Sequence, residues 1–69
     1  MTYNVIYTDI NQNILVNQQF TSLVDGWNYW VVECGNYNLD PHTNDFNEGD
    51  IFNLRSYDDN GILNLYSSY

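Results

Sequence analysis

Residues 50–68 read DIFNLRSYDDNGILNLYSS and carry the clearest structural pattern in the sequence. The tetrapeptide Asp58-Asp59-Asn60-Gly61 separates two segments, 50–57 and 62–68, in which apolar and polar residues alternate. Asn-Gly between such segments is a strong sign of a β-hairpin, because both central residues of a type I′ turn need a positive φ. The pairing places four apolar side chains on one face of the hairpin: Phe52, Leu54, Leu63 and Leu65.

A second hairpin is predicted at the start of the chain. Residues 2–8 and 14–20 have strand composition, and residues 9–13 between them have turn chemistry. A short loop puts Tyr7 opposite Val16 and Tyr3 opposite Phe20. One face of this hairpin then holds Tyr3, Val5, Tyr7, Ile14, Val16 and Phe20, as in a half-buried antiparallel pair.

The segment between the hairpins supports two interpretations. Ser22 and Asp25 match a capping-box pattern, and apolar residues follow at helical spacing as far as Gly35, a candidate C-terminal cap. Residues 27–34, WNYWVVEC, instead have the composition of a strand. We favour a helical turn at 22–25 followed by a strand at 27–34, with a helix over 22–34 as the alternative. Residues 35–49 are predicted to form a long polar loop.

The predicted fold is therefore mainly β, in one domain spanning residues 1–69. It is a small antiparallel sheet or curled barrel of four or five strands with one short helical turn. The alternative is an α+β arrangement, ββαββ, with the helix at about 22–34. Both versions bury the same residues: Val5, Val16, Phe20, Trp30, Phe52, Leu54, Leu63 and Leu65.

Charge is the strongest functional signal in the sequence. Nine carboxylates face a single Arg55, and the net charge is −8. The chain has no Lys although Asn is abundant, and Asn-rich compositions usually come with Lys. Such a surface repels nucleic acid and anionic membranes, and it attracts basic proteins or cations. We therefore expect neither nucleic acid nor membrane as a direct partner.

The sequence predicts a stoichiometric protein inhibitor. Its carboxylates hold the Arg and Lys side chains that otherwise bind phosphates, and so occupy the basic nucleic-acid-binding site of a larger protein such as a nuclease. Small phage-type inhibitors of nucleases, restriction enzymes and CRISPR effectors are similar in composition, though no motif carries a residue across. The predicted partner-binding residues are Asp25, Glu33, Asp40, Asp45, Glu48, Asp50, Tyr57, Asp58 and Asp59.

Other functions fit the sequence less well. A Tyr-rich sheet face suggests an assembly module, for oligomerisation or docking, and a homodimer is a further expectation. The loop between Asp40 and Asp50 offers oxygen ligands for calcium but lacks the EF-hand glycine, and exposed tyrosines suit sugars. Cys34 and His42 are interpreted as a buried thiol and a loop imidazole. We predict no enzyme activity, cofactor or metal, and a cytoplasmic location, since residues 1–20 have neither the basic start nor the continuous apolar stretch of a signal peptide.

Overall fold

The computed structural model describes residues 1–41 and 53–68. These residues form strands β1 (Thr2–Asp9) and β2 (Ile14–Phe20), helix α1 (Leu23–Asn36), and strands β3 (Asn53–Tyr57) and β4 (Gly61–Ser68). The strands make one antiparallel sheet in the order β2-β1-β4-β3, which is not closed. The mainly-β prediction is confirmed. The prediction allowed either an antiparallel sheet or a curled barrel, and the structure has the open sheet. The order of elements is that of the ββαββ alternative.

The strand predicted at 27–34 is wrong, because these residues belong to α1. The helix starts as the capping pattern indicates: Ser22 is the N-cap, and its hydroxyl accepts a hydrogen bond from the backbone N–H of Asp25. Trp30 and Cys34 are fully buried one turn apart, so burial against the sheet outweighs weak helix propensity. No helix among the described residues is long and apolar enough to cross a membrane.

The helix ends in a Schellman motif, one turn later than the sequence suggested. Asn38 has a left-handed φ of 56°, and the Leu39 N–H donates to the Cys34 carbonyl at 2.8 Å. Leu39 and Cys34 are both buried, which supplies the apolar contact that accompanies this motif. The predicted loop at 35–49 was therefore placed too early, and its part beyond residue 41 lies outside the described residues.

The register of the first hairpin is confirmed, with one correction. Tyr3 pairs with Phe20 and Tyr7 with Val16, as the sequence predicts. A bulge between Tyr7 and Thr8 then shifts the register, so that Ile14 pairs with Thr8 on the opposite face of the sheet. Ile14 is 60% exposed, and its predicted place on the buried face is wrong.

The second hairpin is also confirmed, but its turn is of another kind. Leu54 pairs with Leu65, and the predicted partner Phe52 lies outside the described residues. Asn60 does not have the positive φ that a type I′ turn requires, so the prediction of this turn type is wrong. The Asp58 carboxylate holds the turn instead, accepting hydrogen bonds from the backbone N–H groups of Asn60 and Gly61.

Gly61 allows the start of β4 to pack closely against β1 at this turn. A Cβ atom on Gly61 would lie 2.5 Å from the Thr8 carbonyl oxygen and 2.6 Å from the Tyr7 hydroxyl. Only a glycine lets β4 begin this close to β1.

The core lies between α1 and one face of the sheet. Of the predicted core, Val16 and Phe20 are only partly buried and pack against its edge. Tyr7 and Leu39 are buried in the core although they are not among the core residues predicted from the sequence. The buried apolar residues are Val5, Tyr7, Trp30, Cys34, Leu39, Leu54, Leu63 and Leu65. The other face of the sheet, called the open face below, is not covered by α1.

Candidate partner-binding surface

Two turns meet at one end of the sheet. The β1–β2 turn and the β3–β4 turn are joined by a hydrogen bond of 2.8 Å from the Ile10 N–H to the Asn60 carbonyl. The pairing of Asp9 with Gly61 at the ends of β1 and β4 brings the turns together. A shallow pocket lies between them and is lined in part by Asp9, Asp58 and Asp59.

Two of these carboxylates are fixed by the backbone. The Asp9 Oδ1 accepts hydrogen bonds from the N–H groups of Asn11 and Asn13, at 2.9 and 2.8 Å. Asp58 Oδ1 does the same in its own turn, at 2.8 Å from the Asn60 nitrogen. Both side chains are therefore ordered before any partner arrives, which lowers the entropy cost of binding.

Asp59 is the third carboxylate of this group, and it is exposed at the tip of the β3–β4 turn. We call Asp9, Asp58 and Asp59 the acidic end. Burial raises the pKa of the Tyr7 hydroxyl, and Asp58, Tyr37 and Asp9 raise it further. The negative charge of the acidic end therefore acts on a side chain of the core. Asp58 and Asp59 were predicted as partner-binding residues from the sequence, whereas Asp9 was not, because its sequence position is that of an ordinary turn residue.

Asp40 and Glu33 lie on the helix side of the fold. The Ser56 hydroxyl donates to the Asp40 carbonyl at 2.7 Å, which ties the end of the helical segment to β3 two residues before Asp58. The pKa of the Cys34 thiol is raised to about 11, chiefly by burial and also by Asp40 and Glu33. The last turn of α1 carries no basic residue to offset its carbonyl groups.

An apolar row crosses the open face beside the acidic end. The strand registers place Ile14, Thr8, Ile62 and Tyr57 side by side across all four strands. Ile14, Ile62 and Tyr57 are 60%, 44% and 55% exposed. We call these four residues the apolar row. Since Tyr57 precedes Asp58 directly, the row and the acidic end form one continuous surface.

The predicted site residue Asp25 does not join this surface. Asp25 lies in the first turn of α1, next to Gly26, which packs on Tyr3 and Phe20 at the opposite end of the sheet. β1 runs from Thr2 to Asp9, so these two ends are about 20 Å apart. Three further predicted site residues lie outside the described residues: Asp45, Glu48 and Asp50.

The thiol of Cys34 and the described carboxylates bear on nucleophilic and metal chemistry. Cys34 is fully buried, and its raised pKa disfavours the nucleophilic thiolate. The carboxylates and the cysteine of the described residues form no group of three or more that could hold a metal ion. His42 and most of the candidate calcium loop lie outside the described residues.

Comparison with known proteins gives no guide to this surface. The chain matches no protein-family model, no curated protein and no solved structure. The function has to be argued from the surface itself.

Proposed function

We propose that this chain is a stoichiometric protein inhibitor that covers the basic nucleic-acid-binding site of a larger protein. The observation that carries the proposal is the meeting of Asp9, Asp58 and Asp59 at one end of a chain without Lys. A nuclease of a bacterial defence system is the kind of target that this charge pattern suits. The target's Arg and Lys side chains would bind the carboxylates in place of phosphates.

The fixed carboxylates favour such competition. A phosphate backbone presents negative charges in a set geometry, and Asp9 and Asp58 are likewise held by backbone hydrogen bonds. Guanidinium groups form bidentate hydrogen bonds with carboxylates as they do with phosphates. The net charge of −8 speeds the encounter with a basic surface and repels nucleic acid from the complex.

The apolar row supplies the part of the affinity that charge does not. Aromatic residues often dominate binding energy when a partner removes them from water, and Tyr57 is exposed directly beside Asp58. A basic site with one apolar pocket therefore fits this surface better than a uniformly basic groove.

The test compares two charge reversals. Asp59→Lys changes the acidic end, whereas Asp25→Lys makes the same change of charge at the opposite end of the sheet. Asp59 suits this test because Asp58 and Asp9 also hold their turns, so that their loss disturbs the backbone. Tagged variants are used to capture partners from bacterial lysate with a salt gradient, and a retained protein is purified for a competition assay with DNA.

The expected partner is a nucleic-acid-binding protein that is released as salt rises. We expect Asp59→Lys to weaken its binding about tenfold or more, and Asp25→Lys to weaken it much less. DNA and the wild-type chain should displace one another. A partner that binds DNA and this chain at the same time would contradict the proposal, as would equal effects of the two reversals.

The alternative function is docking or assembly through the open face, without competition for a basic site. The exposed apolar row favours it, although only two tyrosines, Tyr57 and Tyr66, lie on this face among the described residues. Binding dominated by apolar burial changes little with salt. A partner retained at high salt and lost in Ile62→Ser, but not in Asp59→Lys, would support this alternative.

A further inference from the structure

β2 is an exposed edge of the sheet. It is the first strand in the order β2-β1-β4-β3, and among the described residues nothing pairs with its outer side. Five of its seven residues are exposed. A strand of this length presents a row of backbone donors and acceptors to which another strand can pair. Many proteins protect such edges with Lys, Pro or an inward charge, and β2 has none of these.

The same edge is the neutral part of a strongly acidic chain. No Asp, Glu, Lys, Arg or His occurs between Asp9 and Asp25, although the chain carries a net charge of −8. Two copies of this chain repel each other in most orientations. Contact through β2 brings only neutral side chains together, including Leu15, which is 56% exposed.

The geometry of an antiparallel pair separates the remaining charge. A two-fold axis near Asn17, the middle residue of β2, runs the two strands in opposite directions. Each acidic end then lies at the Phe20 end of the other copy, which carries Asp25 on α1, and the two acidic ends point away from each other. Both helices stay on the same side of the joined sheet, and α1 contacts β1 and β4 more than it contacts the edge strand β2.

We infer that two copies of this chain associate through β2 into one continuous antiparallel sheet. The occupant of the edge is a second copy, because the neutral edge and the opposed acidic ends suit a like-charged partner. The inference goes beyond the proposed function: a dimer of this kind leaves both acidic ends and both apolar rows exposed. It presents two equal binding surfaces at opposite ends of one particle.

The test measures the mass of the purified chain in solution across a concentration series. Light scattering or sedimentation should show a dimer at micromolar concentrations. Asn17→Lys places two positive charges opposite each other across the axis, and we expect it to raise the dissociation constant at least tenfold. Asn17→Thr keeps the strand neutral and should leave the dimer intact. Circular dichroism checks that both variants are folded.

Cross-linking gives a second measure that does not depend on the lysine variant. Residues opposite each other in an antiparallel pair are close enough for a disulfide, so Asn17→Cys should form a covalent dimer on mild oxidation. Asn28→Cys, on the outer side of α1, is the matched control and should form far less. The native Cys34 is buried and does not interfere.

Salt separates this inference from the proposed function. Screening reduces repulsion between two acidic copies, so added salt should leave the β2 dimer intact or tighten it, whereas it weakens binding to a basic target. A chain that is monomeric throughout the series overturns the inference. So does a dimer unaffected by Asn17→Lys, or equal cross-linking of the two cysteine variants. None of these results bears on the binding of a basic partner by the acidic end.

Discussion

Cys34 shows how the core and the surface charge act on one side chain. The thiol is fully buried under the last turn of α1, and its pKa is raised from 9.0 to about 11 by burial, Asp40 and Glu33. Burial and nearby carboxylates both disfavour the thiolate. The folded chain therefore keeps a neutral thiol at a pH at which the unfolded chain has already ionised.

This shift predicts alkaline destabilisation. Because the pKa of Cys34 is higher in the folded state, the stabilisation is complete below pH 9 and is lost as the pH rises toward 11. The loss from this group is on the order of 2 kcal/mol. Denaturant titrations at several pH values should show a smaller decline for Cys34→Ala, which keeps the contributions of Tyr7 and Tyr29. Equal slopes for the two proteins would contradict the assignment.

The two glycines of α1 differ in what surrounds them. A Cβ at Gly35 would meet nothing within 4 Å, whereas one at Gly26 would lie 3.3 Å from the Cβ of Tyr3. Gly26 is buried where the helix approaches β1, and Gly35 faces solvent. One glycine therefore permits close packing of the helix on the sheet, and the other only weakens the helix.

The matched substitutions should have opposite effects. Gly35→Ala is expected to raise the free energy of unfolding by about 0.5–1 kcal/mol, because alanine favours the helix and restricts the unfolded chain. Gly26→Ala gains the same propensity but forces α1 away from Tyr3, and we expect a net loss of about 1 kcal/mol or more. Chemical denaturation measures both. A stabilising Gly26→Ala would mean that helix and sheet move apart at little cost.

The helix is also where local sequence information fell short. The capping pattern at Ser22 was correct, but the composition of 27–34 favours a strand, and only burial of Trp30 and Cys34 against the sheet decides the matter. That burial depends on pairings between distant segments, which a local pattern does not contain. Alternation and turn chemistry were enough for both hairpins, whose registers were confirmed except at the β1–β2 bulge.

The candidate surface was predictable only in part, for the same reason. Asp58, Asp59 and Tyr57 are neighbours in sequence, and their shared position was evident. Asp9 joins them because β1 pairs with β4, a contact between the two ends of the described chain. Ile14 joins the apolar row only because the bulge turns it to the open face.

At the scale of the whole molecule, charge opposes folding. A net charge of −8 with a single Arg leaves much of the repulsion among carboxylates uncompensated, and the acidic end concentrates it. We expect sodium chloride at several hundred millimolar to stabilise a dilute sample by on the order of 1 kcal/mol, which corresponds to about 4–8 °C in Tm. Asp59→Asn should be more stable than wild type at low salt and less responsive to added salt. A salt-independent Tm would show that the carboxylates are too far apart to interact.

The central position of β1 and β4 has a consequence for synthesis. β1 is made first, and β4, its neighbour in the sheet, is made last of the four strands. A nascent chain that lacks β4 therefore holds the first hairpin, α1 and β3 without the strand that joins β1 to β3, so Val5 and Tyr7 lack their sheet neighbours Leu65 and Leu63. The sheet closes over these residues only when residues 61–68 leave the ribosome. We expect a chain arrested before β4 to be digested by proteases faster than the chain with the complete sheet.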